Sequence, residues 1–276
     1  MGRRQARRAR RRRKRAGQSA GRKPLMAPEI SIRRCGGLAE FERCIDLQRA
    51  IWNESDIEVE PVTSFIVAAR IGGQVLGAFD AGRMVGYTLA LPGVRDGACY
   101  LHSHMTGVLP EYRGRGVGFL LKTFQRDEAR ARGITRIEWT FDPLEFRNAQ
   151  FNLTRLGAIS RQYLPNLYGV TSSPLHRGLP TDRLLAEWHL DSPRVAAVLA
   201  GSPSKLTDSA VLVELPASAL TGEKQDASEA AQVQERLRNE FQGWFGRGYA
   251  ALGTRKTPTG GAYVLEPPQQ QQAGRK

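Results

Sequence analysis

The sequence predicts an α/β (α+β) fold: a mixed, mostly antiparallel sheet flanked by helices, followed by a C-terminal α/β extension. Three observations predict it. Apolar residues recur at helical spacing in several segments. Between them lie short runs of aliphatic and aromatic residues bounded by glycine-bearing turns. The resulting order up to residue 190 is β-α-α-β-β-β-α-β-α-β-β, and three successive strands in mid-chain are a meander of antiparallel neighbours.

Residues 29–34 (EISIRR) read as the first strand. Residues 37–52 place Leu38, Phe41, Cys44, Leu47 and Ile51 on one helical face. Residues 63–73 are a second helix closed by glycine. Residues 74–94 are two strands about a turn holding Gly82, and 98–110 are a longer strand. A helix from Gly116 to Arg132 turns Val117, Leu120, Leu121 and Phe124 inward and ends at Gly133. Residues 134–141 are a strand. Asp142 then N-caps a helix over 143–156, with Pro143 in its first position. Strands near 158–163 and 183–190 complete the sheet. The chain continues as a short helix (192–200), a strand (211–215), a long helix (227–247) and a strand pair near 249–253 and 261–266. Its Gln-rich end, PPQQQQAGRK, reads as loose. Three segments are expected: a disordered Arg-rich tail (1–26), a main domain (27–190) and an extension (191–276).

The chain's 276 residues, 41% of them hydrophobic, suffice for one good-sized core. No stretch offers the roughly 18–20 unbroken apolar residues of a membrane-spanning helix, and no apolar segment follows the N-terminal charges, so no membrane partner is expected. Cys35, Cys44 and Cys99 are odd in number and unpatterned. They fit a reduced, cytoplasmic setting and are expected as buried small hydrophobes. The formal net charge of +14 is local: residues 1–23 hold 12 basic residues and no acid, leaving 29 basic against 27 acidic residues elsewhere, a net of +2. A block so charged repels itself and buries nothing, hence the expected disorder. Nucleic-acid binding is confined to residues 1–23, as a phosphate-binding arm. The lack of any accompanying aromatic or RNA-binding motif favours a passive tail, or a translation start at Met26. No His/Cys/Asp spacing suggests a metal, and no context supports a Ser-His-Asp triad.

The most informative stretch is 108–122, VLPEYRGRGVGFLLK. Gly114, Gly116 and Gly118 stand where a strand gives way to a helix, with Arg113 and Arg115 among them. A helix N-terminus presents unsatisfied amide N–H groups and a positive dipole end. Glycines let backbone approach a phosphate and aim several N–H groups inward. The stretch therefore reads as a pyrophosphate cradle. It lacks the Gly-Lys-Ser/Thr of a Walker loop, and Phe119 occupies the third glycine position of a dinucleotide fingerprint.

The run Val108-x-Pro110-x-x-Arg113-Gly114-Arg115-Gly116-Val117-Gly118 resembles the R/Q-x-x-G-x-G/A signature of the GNAT superfamily of N-acetyltransferases. The element order from about residue 29 to 190 is similar too. RNAQFNLTRLGA (147–158) resembles the superfamily's second signature, an Asn-rich helix ending in Leu-Gly-Phe, with Ala158 in place of the Phe. The resemblance implies a sheet splayed between 98–109 and 134–141, and acetyl-CoA or another acyl-CoA as donor. It implies that amides of residues 114–118 hold the pyrophosphate, that backbone groups of Thr106, Gly107 and Val108 pair with the pantetheine arm, and that Asn148 orients the CoA arm. Direct transfer to a small amine or peptide acceptor in a ternary complex follows from the same resemblance.

Acyl transfer to an amine needs a base, an oxyanion donor and an acid for the departing thiolate. His102 and His104 are two apart on the strand before the loop, so they share a face, and imidazole titrates near neutrality; the superfamily often carries its base on this strand. It often places a Tyr four residues before the Gly of Leu-Gly-Phe, where this chain has Leu153. Tyr163 and Tyr168 are the candidate replacements. Glu138 is an alternative base whose simplest reading is a solvent-facing carboxylate. Thr181, Asp182 and Arg183 read as a polar turn or an acceptor contact. Trp52, Asn53 and Glu54 lie where the superfamily's acceptor pocket often forms. The reading is an acyl-CoA-dependent N-acyltransferase. Two alternatives stay open: a catalytically weak CoA-binding or scaffolding protein of this fold, motivated by Leu153, and a nucleic-acid-associated protein acting through the basic tail.

Overall fold

The computed structural model describes residues 30–52, 59–169, 178–202, 207, 209–221 and 227–268. The basic tail, Asn53, Glu54 and most of the Gln-rich end lie outside the described residues. The elements are β1 (Ser31–Arg34), α1 (Leu38–Trp52), α2 (Val62–Arg70), β2 (Gln74–Asp80), β3 (Arg83–Arg95), β4 (Ala98–Val108), α3 (Val117–Ala131), β5 (Arg136–Phe141), α4 (Phe146–Ala149), β6 (Tyr163–Leu164) and β7 (Arg183–His189). The extension adds α5 (Pro193–Leu199), β8 (Val211–Pro216), α6 (Ser218–Thr221), α7 (Ala227–Gly246), β9 (Ala250–Thr257) and β10 (Gly260–Glu266). The expected element order is borne out; α6 was not foreseen.

The main sheet has seven strands in the order β1-β2-β3-β4-β5-β7-β6, and a second sheet has three in the order β8-β10-β9. Neighbours are antiparallel except β4 and β5, which run parallel and share only two register pairs, Leu101 with Ile137 and His102 with Glu138. Past His102, among the described residues, β4 has a ladder partner only in β3. The β3–β4 register shifts between Leu89–Met105 and Leu91–His102, which places one extra residue on β4 at Ser103–His104. Such a bulge re-aims the side chains beside it.

One core cluster lies between β1–β4 and the helices α1, α2 and α3, around Phe65, Leu76, Tyr87, Leu89 and Leu121. The other joins the second half of the main sheet (Ile137, Trp139, Trp188) to the extension (Val213, Leu237, Phe241, Tyr263) without interruption. The chain between Ala158 and Gln162 stitches the sheets: Ile159 bridges to Glu187 of β7 and Ser160 to Ala251 of β9. The predicted strand over 158–163 is thereby divided between two partners, and only Tyr163–Leu164 remain as a strand.

Other local expectations are corrected. On α3 the buried stripe is Val117, Leu121, Gln125 and Ala129, advancing four residues at a time with Lys122 beside it, so Leu120 falls outside it and is exposed. Leu38, at the mouth of α1, is exposed too. The single helix expected over 143–156 is instead a turn, the short α4, and a π-helix over Gln150–Arg155. Asp142 Oδ1 accepts from the Leu144 amide at 2.8 Å, so it caps that turn and not a helix. Leu156 N–H donates to the Phe151 carbonyl, the wide spacing of a π turn. Cys35 and Cys44 are buried, but Cys99 is exposed, because the β3–β4 hairpin end projects past the core. Among the described residues no helix is long and apolar enough to cross a membrane.

Candidate functional site

Where β4 and β5 part, a cleft of about 790 Å³ opens. Ser103, His104, Thr106 and Val108 of β4 form one wall; Trp139, Thr140, Phe141 and Asp142 form the opposite one. The loop before α3 closes one end through Arg113, Gly114, Gly116, Val117 and Gly118, and Asn148, Phe151 and Asn152 face it.

The loop's glycines divide by function. Gly114 and Gly116 have φ of +75° and +82°, and a Cβ on either would meet nothing within 4 Å. They are required by backbone conformation, not by crowding. Gly118 has no such φ, and its added Cβ would make an ordinary 3.9 Å contact with Phe151. Gly116 is the N-cap of α3 and no side chain caps that end, so first-turn amides keep their donors for a ligand. Arg113 is pinned to backbone: Nε donates to the Val108 carbonyl and Nη2 to that of Ile51, each at 3.2 Å. That ties the loop to the end of α1. Arg115 lies over the Tyr112 ring at 5.1 Å, outside the cleft lining. Gly107 is not in the lining either; a Cβ there would strike Ile51 and Trp52 at 2.8 and 3.0 Å, so its glycine lets α1 pack on β4. Asn148 accepts through Oδ1 from Asn152 Nδ2 at 3.1 Å.

The two histidines have different surroundings. Their ring centroids are 6.2 Å apart, but only His104 lines the cleft. His104 Nε2 lies 3.5 Å from Glu60 Oε1. Glu60 is held in turn by the buried Gln48, which donates to its carbonyl at 3.1 Å and accepts from its amide at 2.8 Å. His102 is driven down to about 4 by burial, with the charges of His104, Lys122 and Arg95 acting the same way. It is a neutral imidazole at pH 7.

The tyrosines separate as well. Tyr163 is turned away from the cleft: its hydroxyl donates to Asp182 Oδ2 at 2.7 Å and its ring stacks on Phe241 of α7. Burial, first, and that bond hold its pKa far above the ordinary value. This overturns Tyr163 as a residue that reaches the site; the extension has claimed it for packing. Tyr168 is half exposed and outside the cleft lining, but its hydroxyl lies 2.8 Å from Thr140 Oγ1 in the cleft wall. Glu138, read as solvent-facing, is buried and bonded to Arg95 at 2.9 Å, with Arg136 at 3.3 Å. Thr181 and Asp182 are buried structural groups, whereas Arg183 lines the cleft, as does Trp52. Leu153 is fully buried.

Two residues were missed. Glu60 gave no signal, since nothing local joins it to His104. Lys122 gave one: it lies four residues after Gly118 and three before Gln125, on the inward side of α3. It is buried and lines the cleft. Burial lowers its pKa to about 7. Among the described residues no cluster of His, Cys, Asp or Glu could hold a metal.

The family model described as Acetyltransferase (GNAT) family matches residues 41–157. No curated protein matches the chain significantly. Similar solved structures include the ribosomal-protein-S18-alanine N-acetyltransferase of Escherichia coli, 13% identical over 59% of this chain and 95% of its own, with a TM-score of 0.48. A putative acetyltransferase of Salmonella typhimurium, solved with acetyl-CoA, is 20% identical over 59% of this chain and 95% of its own, with a TM-score of 0.47. Arabidopsis thaliana Naa50, solved with the bisubstrate analogue CoA-Ac-MVNAL, is 16% identical over 57% and 97%, also at 0.47. The glycine loop and the parted strands both lie within residues 41–157, the segment that matches the acetyltransferase (GNAT) family model.

Proposed function

We propose that the chain is an acyl-CoA-dependent N-acyltransferase, acetyl-CoA being the simplest donor, that passes the acyl group directly to a small amine or peptide acceptor. One observation carries the reading: two parallel strands with only two register pairs part around a cleft that ends at left-handed glycines and an uncapped helix N-terminus. Amides of residues 114–118 face the pyrophosphate. The edge of β4 along Thr106–Val108, with no partner in β5, hydrogen-bonds the pantetheine as an added strand would. Asn148 lies along the same arm. His104, oriented by Glu60, takes the proton as the amine attacks the thioester carbonyl. The C–N bond forms, the C–S bond breaks, and the thiolate receives a proton from the Tyr168 hydroxyl beside Thr140. Holding both substrates in one cleft supplies much of the acceleration.

The test is calorimetric titration of acetyl-CoA into the parent, Gly116→Glu and Gly118→Ala, with circular dichroism as the fold control. The parent and Gly118→Ala bind. Gly116→Glu loses at least tenfold in affinity, since a carboxylate at the cradle repels the pyrophosphate. A folded parent that binds no acyl-CoA overturns the reading.

A further inference from the structure

Lys122 stands at the floor of the cleft, one residue above the last β4–β5 register pairs. Its Nζ donates to Ser103 Oγ at 2.8 Å and to Gln125 Oε1 at 3.0 Å, and lies 3.9 Å from the Trp139 ring centroid. Only 3% of the residue is exposed. Among the described residues no carboxylate pairs with it, and burial lowers its proton affinity. The hydroxyl, the amide oxygen and the ring replace part of the ammonium's hydration, but none carries a negative charge. A Leu or Met here would pack at lower cost. A buried cation without a counter-ion, set in the wall of a ligand cleft, is a receptor for an anion.

The pyrophosphate is not that anion. Its cradle is at Gly114–Gly118, and Lys122 lies about 9 Å farther along the helix axis than Gly116, at 1.5 Å per residue. A ligand stretched from the cradle to the floor brings its acyl end to Lys122. An acetyl methyl would meet an apolar floor best; this one sets an ammonium, a hydroxyl and an amide beside the Trp139 ring.

We propose that Lys122 receives the terminal carboxylate of a dicarboxylic acyl-CoA, so that the preferred donor is an ω-carboxyacyl thioester of about succinyl length. This rests on the donor reading above and specifies its acyl group. His102 approaches Lys122 from β4, His104 lines the same cleft, and the cleft walls also carry Asp142, Glu145, Arg147, Arg155 and Arg183. Arg183 lies 3.9 Å from Asp142 and offsets it, so Arg147 and Arg155 tip the cleft towards an anionic donor.

The experiment compares succinyl-CoA with butyryl-CoA, which has the same acyl length without the charge. Both are titrated into the parent and into Lys122→Met by calorimetry, at pH 6.5 and pH 8.5 and in two buffers of different ionisation enthalpy. The parent binds succinyl-CoA at least tenfold more tightly at pH 6.5 and takes up protons on binding at pH 8.5, where the preference shrinks. Lys122→Met loses the preference and keeps its affinity for butyryl-CoA. Equal affinities in the parent, or a preference that survives Lys122→Met, overturn the proposal while leaving the donor reading intact. A parent that binds neither thioester overturns both. The parent's own preference, pH dependence and proton uptake do not depend on how the variant folds.

Discussion

Asp182 and Arg238 meet in a bidentate pair: Arg238 Nε donates to Oδ2 at 2.9 Å and Nη2 to Oδ1 at 3.0 Å. The carboxylate is wholly buried and also accepts from the Tyr163 hydroxyl and the Asn166 amide, so each oxygen has two donors. The pair fastens α7 of the extension to the entrance of β7. Arg238→Met leaves a buried carboxylate without its counter-ion and lowers stability by about 3 kcal/mol. Urea unfolding of parent and variant reads this as a lower midpoint at an unchanged slope. An unmoved midpoint would mean that Tyr163 and Asn166 neutralise the carboxylate unaided.

His104 and His102 respond differently to substitution. His104→Ala slows acyl transfer by about 10²–10⁴-fold and leaves acyl-CoA affinity unchanged. His102→Asn keeps transfer within a few-fold, because its imidazole is outside the cleft lining and already neutral. Single-turnover consumption of donor, with any amine the protein accepts, separates the two. A severe loss in the His102 variant alone would transfer the base assignment to it.

Glu187 makes stability depend on acid. Its burial alone would raise its pKa, but hydrogen bonds from His189 and Arg161 outweigh that and hold it at about 2, against an ordinary 4.5. The ionised form is favoured in the folded state, so the contribution is complete above pH 4.5 and disappears as pH falls towards 2. It amounts to about 3 kcal/mol at neutral pH. Thermal melting from pH 7 to pH 3 shows the parent losing its advantage over Glu187→Gln across this window. Parallel curves would rule the linkage out.

What was legible in the sequence follows the range of the forces involved. Helical periodicity and turn glycines act within a few residues, so α1, α2, the β2–β3–β4 meander and α3 stand where the spacing puts them. The Gly114–Gly118 loop was equally visible, because a left-handed backbone needs particular residues. Contacts between distant segments were not. Asp142-Pro143 has the look of a helix start, yet Asp142 serves a turn and the chain after it widens into a π-helix. Tyr163 was close in sequence to the second signature, but Asp182 and Phe241 decide where it points. Glu60 reaches His104 only because Gln48 holds it there. The β4 bulge left no trace in composition, although it aims Ser103 and His104 into one cleft.

The uninterrupted cluster from Trp188 to Tyr263 has a consequence for how the chain is made. Ribosomes add about 5–20 residues per second. Leu190 is therefore synthesised several seconds before β10, whose Tyr263 and Leu265 complete the same cluster. In that interval the main domain's share of the cluster lacks the extension residues that bury it, with Tyr163 still without its stacking partner Phe241, and it offers a sticky surface to chaperones and to other nascent chains. The first half of the sheet, which closes on its own helices, has no such wait.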